Sequence, residues 1–226
     1  MNSNSENKYF AIKLRKFDRL CPITGSGDGS IKAGAAVVVQ TDRGIEFGEI
    51  IASERTIAKR LARDVKLKKV IRYATAQDIA KAGEIPDLEA KAVVVANQKI
   101  KEHELQIKIV NVEYLFDTNR VVVYYKVSKS KKIDNLRDLT RDLSSTLKAR
   151  VEMSQVSPRA EARMLGGMGP CGRGLCCSSW LEKPKHVTVK MVKEQGLALS
   201  PTKTSGMCGR LMCCLEYDYK QETKGG

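Results

Sequence analysis

One heptad is written twice in this chain, as CGRGLCC over residues 171–177 and CGRLMCC over residues 208–214. Five of its seven positions are identical, and a glycine, Gly169 or Gly206, stands two residues ahead of each copy. Six of the seven cysteines lie in these stretches; the seventh is Cys21. No other feature constrains the fold as much. Two loops of similar shape must be held so that they present thiols to a common object, or to two equivalent ones.

The residues around the thiols suit metal ligation. Gly172 and Gly209 let the backbone turn sharply, with positive φ where needed. Arg173 and Arg210 set a cation beside the thiols, which is expected to lower their pKa and offset thiolate charge. Leu175, Leu211 and Met212 offer the apolar cover that a buried metal group needs. Cys-x4-Cys spacing occurs in one class of iron–sulfur loop. It also lies at the edge of the spacing used by structural zinc loops, so zinc is the competing ligand. Adjacent cysteines in an extended chain point apart, so one of each pair is expected not to reach the same ion. Six thiolates exceed one tetrahedral site and fall short of two four-cysteine sites, and a partner chain could supply the rest. Unligated packing and thiol–disulfide exchange are the other readings of the pattern. Cys21 is expected to be a free thiol near a loop, and His103 and His186 to be surface histidines.

The chain has 226 residues, enough for a substantial core. No apolar run approaches the roughly 18–20 residues of a membrane span. The opening MNSNSENKYF is polar and lacks the apolar segment of a secretory signal, so a cytoplasmic location with no stable membrane insertion is expected. A reducing compartment argues against a disulfide framework and for metal or redox use of the clustered thiols. The formal charge of +14 favours polyanionic partners, RNA among them.

Four segments are expected. Residues 1–74 read as a small β-rich unit, with strands over 8–16, 35–41 and 45–52, a turn at Asp42-Arg43-Gly44, and a loop over 25–30. A basic stretch follows over 53–72, with Ile57, Leu61 and Val65 on a helical face. Its cations Arg55, Lys59, Arg60, Arg63, Lys66, Lys68, Lys69 and Arg72 are candidate phosphate contacts. Residues 75–157 read as an α+β unit. Thr75 to Asp78 opens a short helix ending near Gly83, and a second helix covers 86–104. Strands over 105–116 and 120–127, a helix over 134–148 and a strand over 150–156 give the order strand-strand-helix-strand. Residues 158–217 form the cysteine-motif region, glycine-rich from Gly166 and without regular elements there, with a strand or short helix at VTVKMVK and a turn at Ser200 to Thr202. Residues 218–226 read as a flexible tail. The fold class is α+β. There is no P-loop, no Gly-x-Ser-x-Gly and no paired catalytic histidine, so no enzyme is expected.

These residues resemble the YaaT family, also called RicT, whose bacterial members share a C-terminal region with a kinetoplastid messenger-RNA-binding protein. The resemblance rests on Gly44-Ile-Glu-Phe-Gly48, Ile107 to Phe116, Ala162-Arg-Met-Leu-Gly-Gly167, Val189-Lys-Met-Val-Lys193, Leu199-Ser-Pro-Thr-Lys203 and both cysteine motifs, and runs from about residue 8 to 217. It implies a non-enzymatic regulator that joins two small helical proteins, RicA-like and RicF-like, in a complex carrying an iron–sulfur cluster of the 4Fe–4S type. It implies work with an RNase Y-type endoribonuclease in messenger-RNA processing and decay, and effects on competence, biofilm formation and sporulation. By position, Cys171, Cys176, Cys177, Cys208, Cys213 and Cys214 match the family cysteines. A zinc-stabilised nucleic-acid-binding module without a redox role is the alternative. Cys21 and the basic stretch depart from the family pattern.

Overall fold

The computed structural model describes residues 9–14, 20–24, 34–52, 68–127, 135–181, 184–198 and 200–222. The chain divides into two compact units, Met1–Ser154 and Gln155–Gly226. The fold is α+β, as expected, with its β-rich part first.

The first unit opens with a closed five-stranded barrel of β1 (Tyr9–Leu14), β2 (Leu20–Thr24), β3 (Ala36–Thr41), β4 (Gly44–Ala52) and β5 (Lys68–Tyr73), ordered β1-β2-β5-β3-β4. The β3–β4 hairpin turns at Asp42 and Arg43, where the sequence placed it. Alternation sorts the apolar run of β3. Val37 and Val39 point into the barrel with Ile12, Leu14 and Ile50, while Val38 joins a larger core on the other face. At Gly48 the barrel wall closes tightly: a Cβ there would lie 2.9 Å from the Lys13 carbonyl and would also strike Ile12.

One sequence expectation is overturned here. Residues 68–72, taken as the end of a basic helical face, lie in strand β5, which pairs with β3 and, in parallel, with β2. Val70 packs against the barrel core, so strand alternation overrides the helical spacing. Residues 53–67 lie outside the described residues.

Helix α1 (Ala76–Glu102) then runs 27 residues, through both Gly83 and Pro86, where the sequence suggested two helices. Its N-cap is the expected capping box, with Thr75 Oγ1 accepting from the Asp78 N–H and the Asp78 carboxylate accepting from the Thr75 N–H at 2.8 Å. A proline inside a helix costs about 3 kcal/mol. Ala82, Ile85, Glu89, Ala92, Ala96 and Ile100, three or four residues apart, are buried along one face, and each buried isoleucine alone contributes about 1.5–3 kcal/mol. That stripe carries the helix past the exposed proline. The face packs on β6 (Ile107–Tyr114) of a three-stranded sheet ordered β6-β7-β8, with β7 at Arg120–Val127 and β8 at Arg150–Gln155. Helix α2 (Leu136–Leu147) supplies fully buried Leu139 and Leu143, which completes the expected strand-strand-helix-strand order.

Arg72 also holds the α1 cap. Both of its terminal nitrogens donate to the Asp78 carboxylate, one at 3.0 Å. This pairing first, and the Thr75 backbone N–H second, hold Asp78 far below the usual carboxylate range. A carboxylate depressed in the folded state contributes stability above its unfolded pKa, about 3.9, and loses that contribution as pH falls. Asp78→Ala should therefore lower the melting temperature at neutral pH. The gap to wild type should shrink as the pH drops below about 4, followed by circular dichroism; a gap constant with pH would contradict the assignment.

Among the described residues, the second unit has four helices: α3 (Pro158–Leu165), α4 (Val189–Glu194), α5 (Pro201–Thr204) and α6 (Cys214–Glu222). Ser157 Oγ caps α3 by accepting from the Ala160 N–H, and Thr188 Oγ1 caps α4. The VTVKMVK stretch is thus helical from Val189, and the expected turn at Ser200 to Thr202 becomes the single turn of α5. Residues 218–222, expected in the tail, continue α6. Among the described residues, this unit's buried apolar side chains are Leu175, Cys177, Val187, Val192 and Leu215. That core is small for some 70 residues, and small scaffolds commonly add staples such as disulfides or metals.

Candidate metal centre

The two cysteine loops have the same backbone. In the first, the Gly169 N–H donates to the Arg173 carbonyl at 2.8 Å and the Gly172 N–H to the Gly169 carbonyl at 3.0 Å. In the second, Gly206 donates to Arg210 at 2.8 Å and Gly209 to Gly206 at 2.9 Å. A bridge closes each loop, Met168 with Gly174 and Ser205 with Leu211. Gly172 at φ +76° and Gly209 at φ +71° take the left-handed turn that glycine permits. Beyond each loop the adjacent cysteines enter a helical turn: the Ser178 N–H donates to the Leu175 carbonyl, and the Leu215 N–H to the Met212 carbonyl.

The loops meet across one pocket, lined by Cys171, Cys176, Cys177, Cys208, Cys213 and Cys214 together. Leu175, Leu211 and Met212, the expected apolar cover, line it too. Its free space is about 60 Å³, where one water takes about 10–15 Å³ by the same measure. Among the described residues, no three thiol, imidazole or carboxylate side chains converge on a single-ion site. His186 is exposed and lies away from this lining, and Cys21 sits in strand β2 of the other unit.

The electrostatics differ from the sequence expectation. Burial first, then the charges of Cys213, Cys214 and Cys171, push the Cys176 thiol up to about 11. Cys177 and Cys214 are raised as well, burial first and Cys213 second in both. Cys176, Cys177 and Cys214 are thus protonated near neutral pH, and ligation through them has to displace their protons. Arg173 and Arg210, expected to lower the thiol pKa, are exposed; they close the loops through their carbonyls instead. The cation that does favour a thiolate is Arg159, acting on Cys177. Arg159 and Ala162, three residues apart on α3, line the pocket, and Arg159 Nη2 donates to the Leu211 carbonyl at 3.1 Å. Sequence reasoning missed both; the Ser157-Pro158 helix start was the available signal.

The nucleic-acid candidates are not assembled into a described site. Arg55, Lys59, Arg60, Arg63 and Lys66 lie outside the described residues. Lys68 Nζ pairs with Asp42 at 2.5 Å, and Lys69 follows it in β5. His103 Nε2 meets Asp142 Oδ2 at 2.8 Å.

Comparison with known proteins identifies two matching regions. The family model described as the PSP1 C-terminal conserved region matches residues 68–156, from β5 to β8. The model described as the PSP1-like protein, third domain, matches residues 186–224, which contain the second cysteine loop. The chain is 42% identical over 190 residues to the stage 0 sporulation protein YaaT of Bacillus subtilis (strain 168), a match spanning 83% of this chain and 67% of that one. It is 25% identical over 154 residues to an uncharacterized protein of Schizosaccharomyces pombe, covering 57% of this chain and 20% of that one. No solved structure matches it. Among the described residues, no helix is long and apolar enough to cross a membrane.

Proposed function

The chain belongs to the YaaT-like family of PSP1-domain proteins, and from that premise we propose that it is a non-enzymatic, sporulation-related regulator that carries an iron–sulfur cluster. The observation that carries this reading is the convergence of six thiols from two duplicated loops on one apolar-walled pocket. An all-thiol donor set is soft and suits iron–sulfur clusters or zinc. A mononuclear zinc site takes four thiolates, and six line this one pocket. Cys171, Cys176, Cys177, Cys208, Cys213 and Cys214 are the candidate ligands, with Leu175, Leu211 and Met212 excluding water. When bound, a cluster, of the 4Fe–4S type by the family resemblance, supplies reversible one-electron chemistry and cross-links the unit's sparse core.

For the regulator's setting we propose, on the family resemblance, a cytoplasmic assembly with RicA-like and RicF-like helical proteins and an RNase Y-type endoribonuclease, acting in messenger-RNA processing and decay. Competence and biofilm formation belong to that setting. Leu165, Met168 and Met207 are each more than two-thirds exposed, and apolar surface of this kind suits a partner that shields the centre. The test is isolation without oxygen, alone and with those partners, followed by absorption spectroscopy and acid-labile sulfide analysis. Broad charge-transfer absorption with sulfide is expected. Stoichiometric zinc without sulfide would replace this reading with a zinc-stabilised nucleic-acid-binding module.

A further inference from the structure

Each cysteine loop is closed on itself. The contacts that shape the first, Gly169 with Arg173, Gly172 with Gly169 and Met168 with Gly174, stay within that loop, and each recurs in the second at a shift of thirty-seven positions. Those contacts do not fix one loop against the other, yet thiols from both line one pocket. One contact that does is polar: Arg159 Nη2, on α3 ahead of the first loop, donates to the Leu211 carbonyl of the second at 3.1 Å. Another is aromatic. Beyond the loops, the Trp180 and Tyr217 rings meet with centroids 4.6 Å apart and planes at 71°, the edge-to-face arrangement that aromatic pairs favour.

The rings are placed to act on the loops. The shift of thirty-seven also relates Trp180 to Tyr217, each three residues past the last cysteine of its loop. The Ser178 and Ser179 N–H groups donate to the Leu175 carbonyl and the Leu181 N–H to the Cys176 carbonyl, so one turn runs from Cys176 and Cys177 through Trp180. Tyr217 lies in α6, which begins at Cys214. Residues three or four apart on a helical turn share a face, so each ring is rigidly coupled to the cysteine pair of its own loop. Neither ring belongs to the core formed by Val187, Val192 and Leu215. Trp180 stays 49% exposed and Tyr217 40%, so the two form a joint between the loops rather than part of that core.

We propose that Trp180 and Tyr217 are positioning residues for the candidate metal centre: their contact holds the two cysteine pairs face to face, so that the pocket is already formed when a metal group arrives. The assignment rests on the reading of these thiols as metal ligands. The rings themselves ligate nothing; they act through the turns that carry the thiols. A site held in its bound arrangement beforehand loses less freedom on binding, and it depends on supporting residues to stay within that geometry. Releasing the rings lets the two turns move apart without undoing either loop, since each loop keeps its own closing contacts. Arg159 holds the other side of the pocket, which it also lines.

The test needs no metal, so its failure is distinct from failure of the metal reading. The full chain, reduced and metal-free, is treated with the short thiol-bridging reagent dibromobimane. Four proteins are compared: wild type, Tyr217→Phe, Tyr217→Leu and Val192→Ala, the last a loosening of the unit's core away from the rings. Trypsin cuts between the loops at Lys185, Lys193 and Lys203, so a bridge from one loop to the other joins separate peptides that mass spectrometry counts. Tyr217→Phe keeps a ring and should bridge the loops as wild type does. Tyr217→Leu keeps bulk without a ring and should lose cross-loop bridges by about two- to tenfold, the range that one aromatic pair supports, while bridges within each loop persist. Wild-type bridging in Tyr217→Leu, an equal loss in Tyr217→Phe, or an equal loss in Val192→Ala would overturn the proposal. So would loss of the circular dichroism of the folded chain in Tyr217→Leu, because the rings would then hold the fold and not the alignment of the loops.

Discussion

Replacing Cys213 with serine should strip the anaerobically loaded protein of nearly all its iron, while its far-ultraviolet circular dichroism stays close to wild type. After burial, the charge of Cys213 does most to raise the thiols of Cys176, Cys177 and Cys214. Its loss therefore reaches three of the other pocket thiols. Changes to residues that only support a metal's ligands already cost roughly 10–100-fold in affinity, and loss of a central direct ligand should cost more. Cys171 is exposed and lies at the edge of the set, so Cys171→Ser should retain more iron than Cys213→Ser. Iron per chain after desalting reads the order. Equal retention in the two variants would remove Cys213 from its central place.

The second large effect concerns stability of the first unit. Glu113 on β6 is buried, and its two oxygens accept from Arg43 Nη1 at 3.2 Å and Nη2 at 2.6 Å, with Tyr124 Oη donating at 2.9 Å. Arg43 lies in the β3–β4 turn, and its carbonyl accepts from Arg120 Nη1 at 3.0 Å. This cluster ties the barrel to the three-stranded sheet. Removing one partner of a buried pair costs about 3–5 kcal/mol, because the other charge stays desolvated and unpaired. Arg43 keeps partial access to water, with 24% of its side chain exposed, so Glu113→Ala should cost about 3 kcal/mol, at the low end of that range. The double variant with Arg43→Ala should lose less than the sum of the two single changes. Urea unfolding of the four proteins measures the coupling; strictly additive losses would mean that the pair holds nothing.

Much of this architecture was legible in the sequence because short-range chemistry decides it. The Asp42-Arg43-Gly44 turn, the Thr75 capping box and the Leu139–Leu143 spacing each act within a few residues, and each stands where expected. The failures share a different cause. Pro86 and Gly83 signal a helix end locally, but a stripe buried from Ala82 to Ile100 decides the outcome, and that stripe depends on a sheet formed later in the chain. Lys68 to Arg72 satisfy a helical spacing, yet β2 and β3 on both sides make them a barrel strand. Helices α3 and α6 flank cysteine loops whose glycines dominate the local signal. In the candidate site, the duplicated heptad named all six thiols that line the pocket, because repetition survives without knowledge of the fold. Arg159 carries no such mark; it reaches the thiols only because α3 leads directly into the first loop.

X-ray absorption at the iron and zinc edges, on the full chain isolated without oxygen, tests the central claim most directly. The account predicts iron in the protein, surrounded by sulfur and with further iron atoms in the next shell. Zinc filling the site, with sulfur neighbours at about 2.3 Å and no second metal, would contradict it.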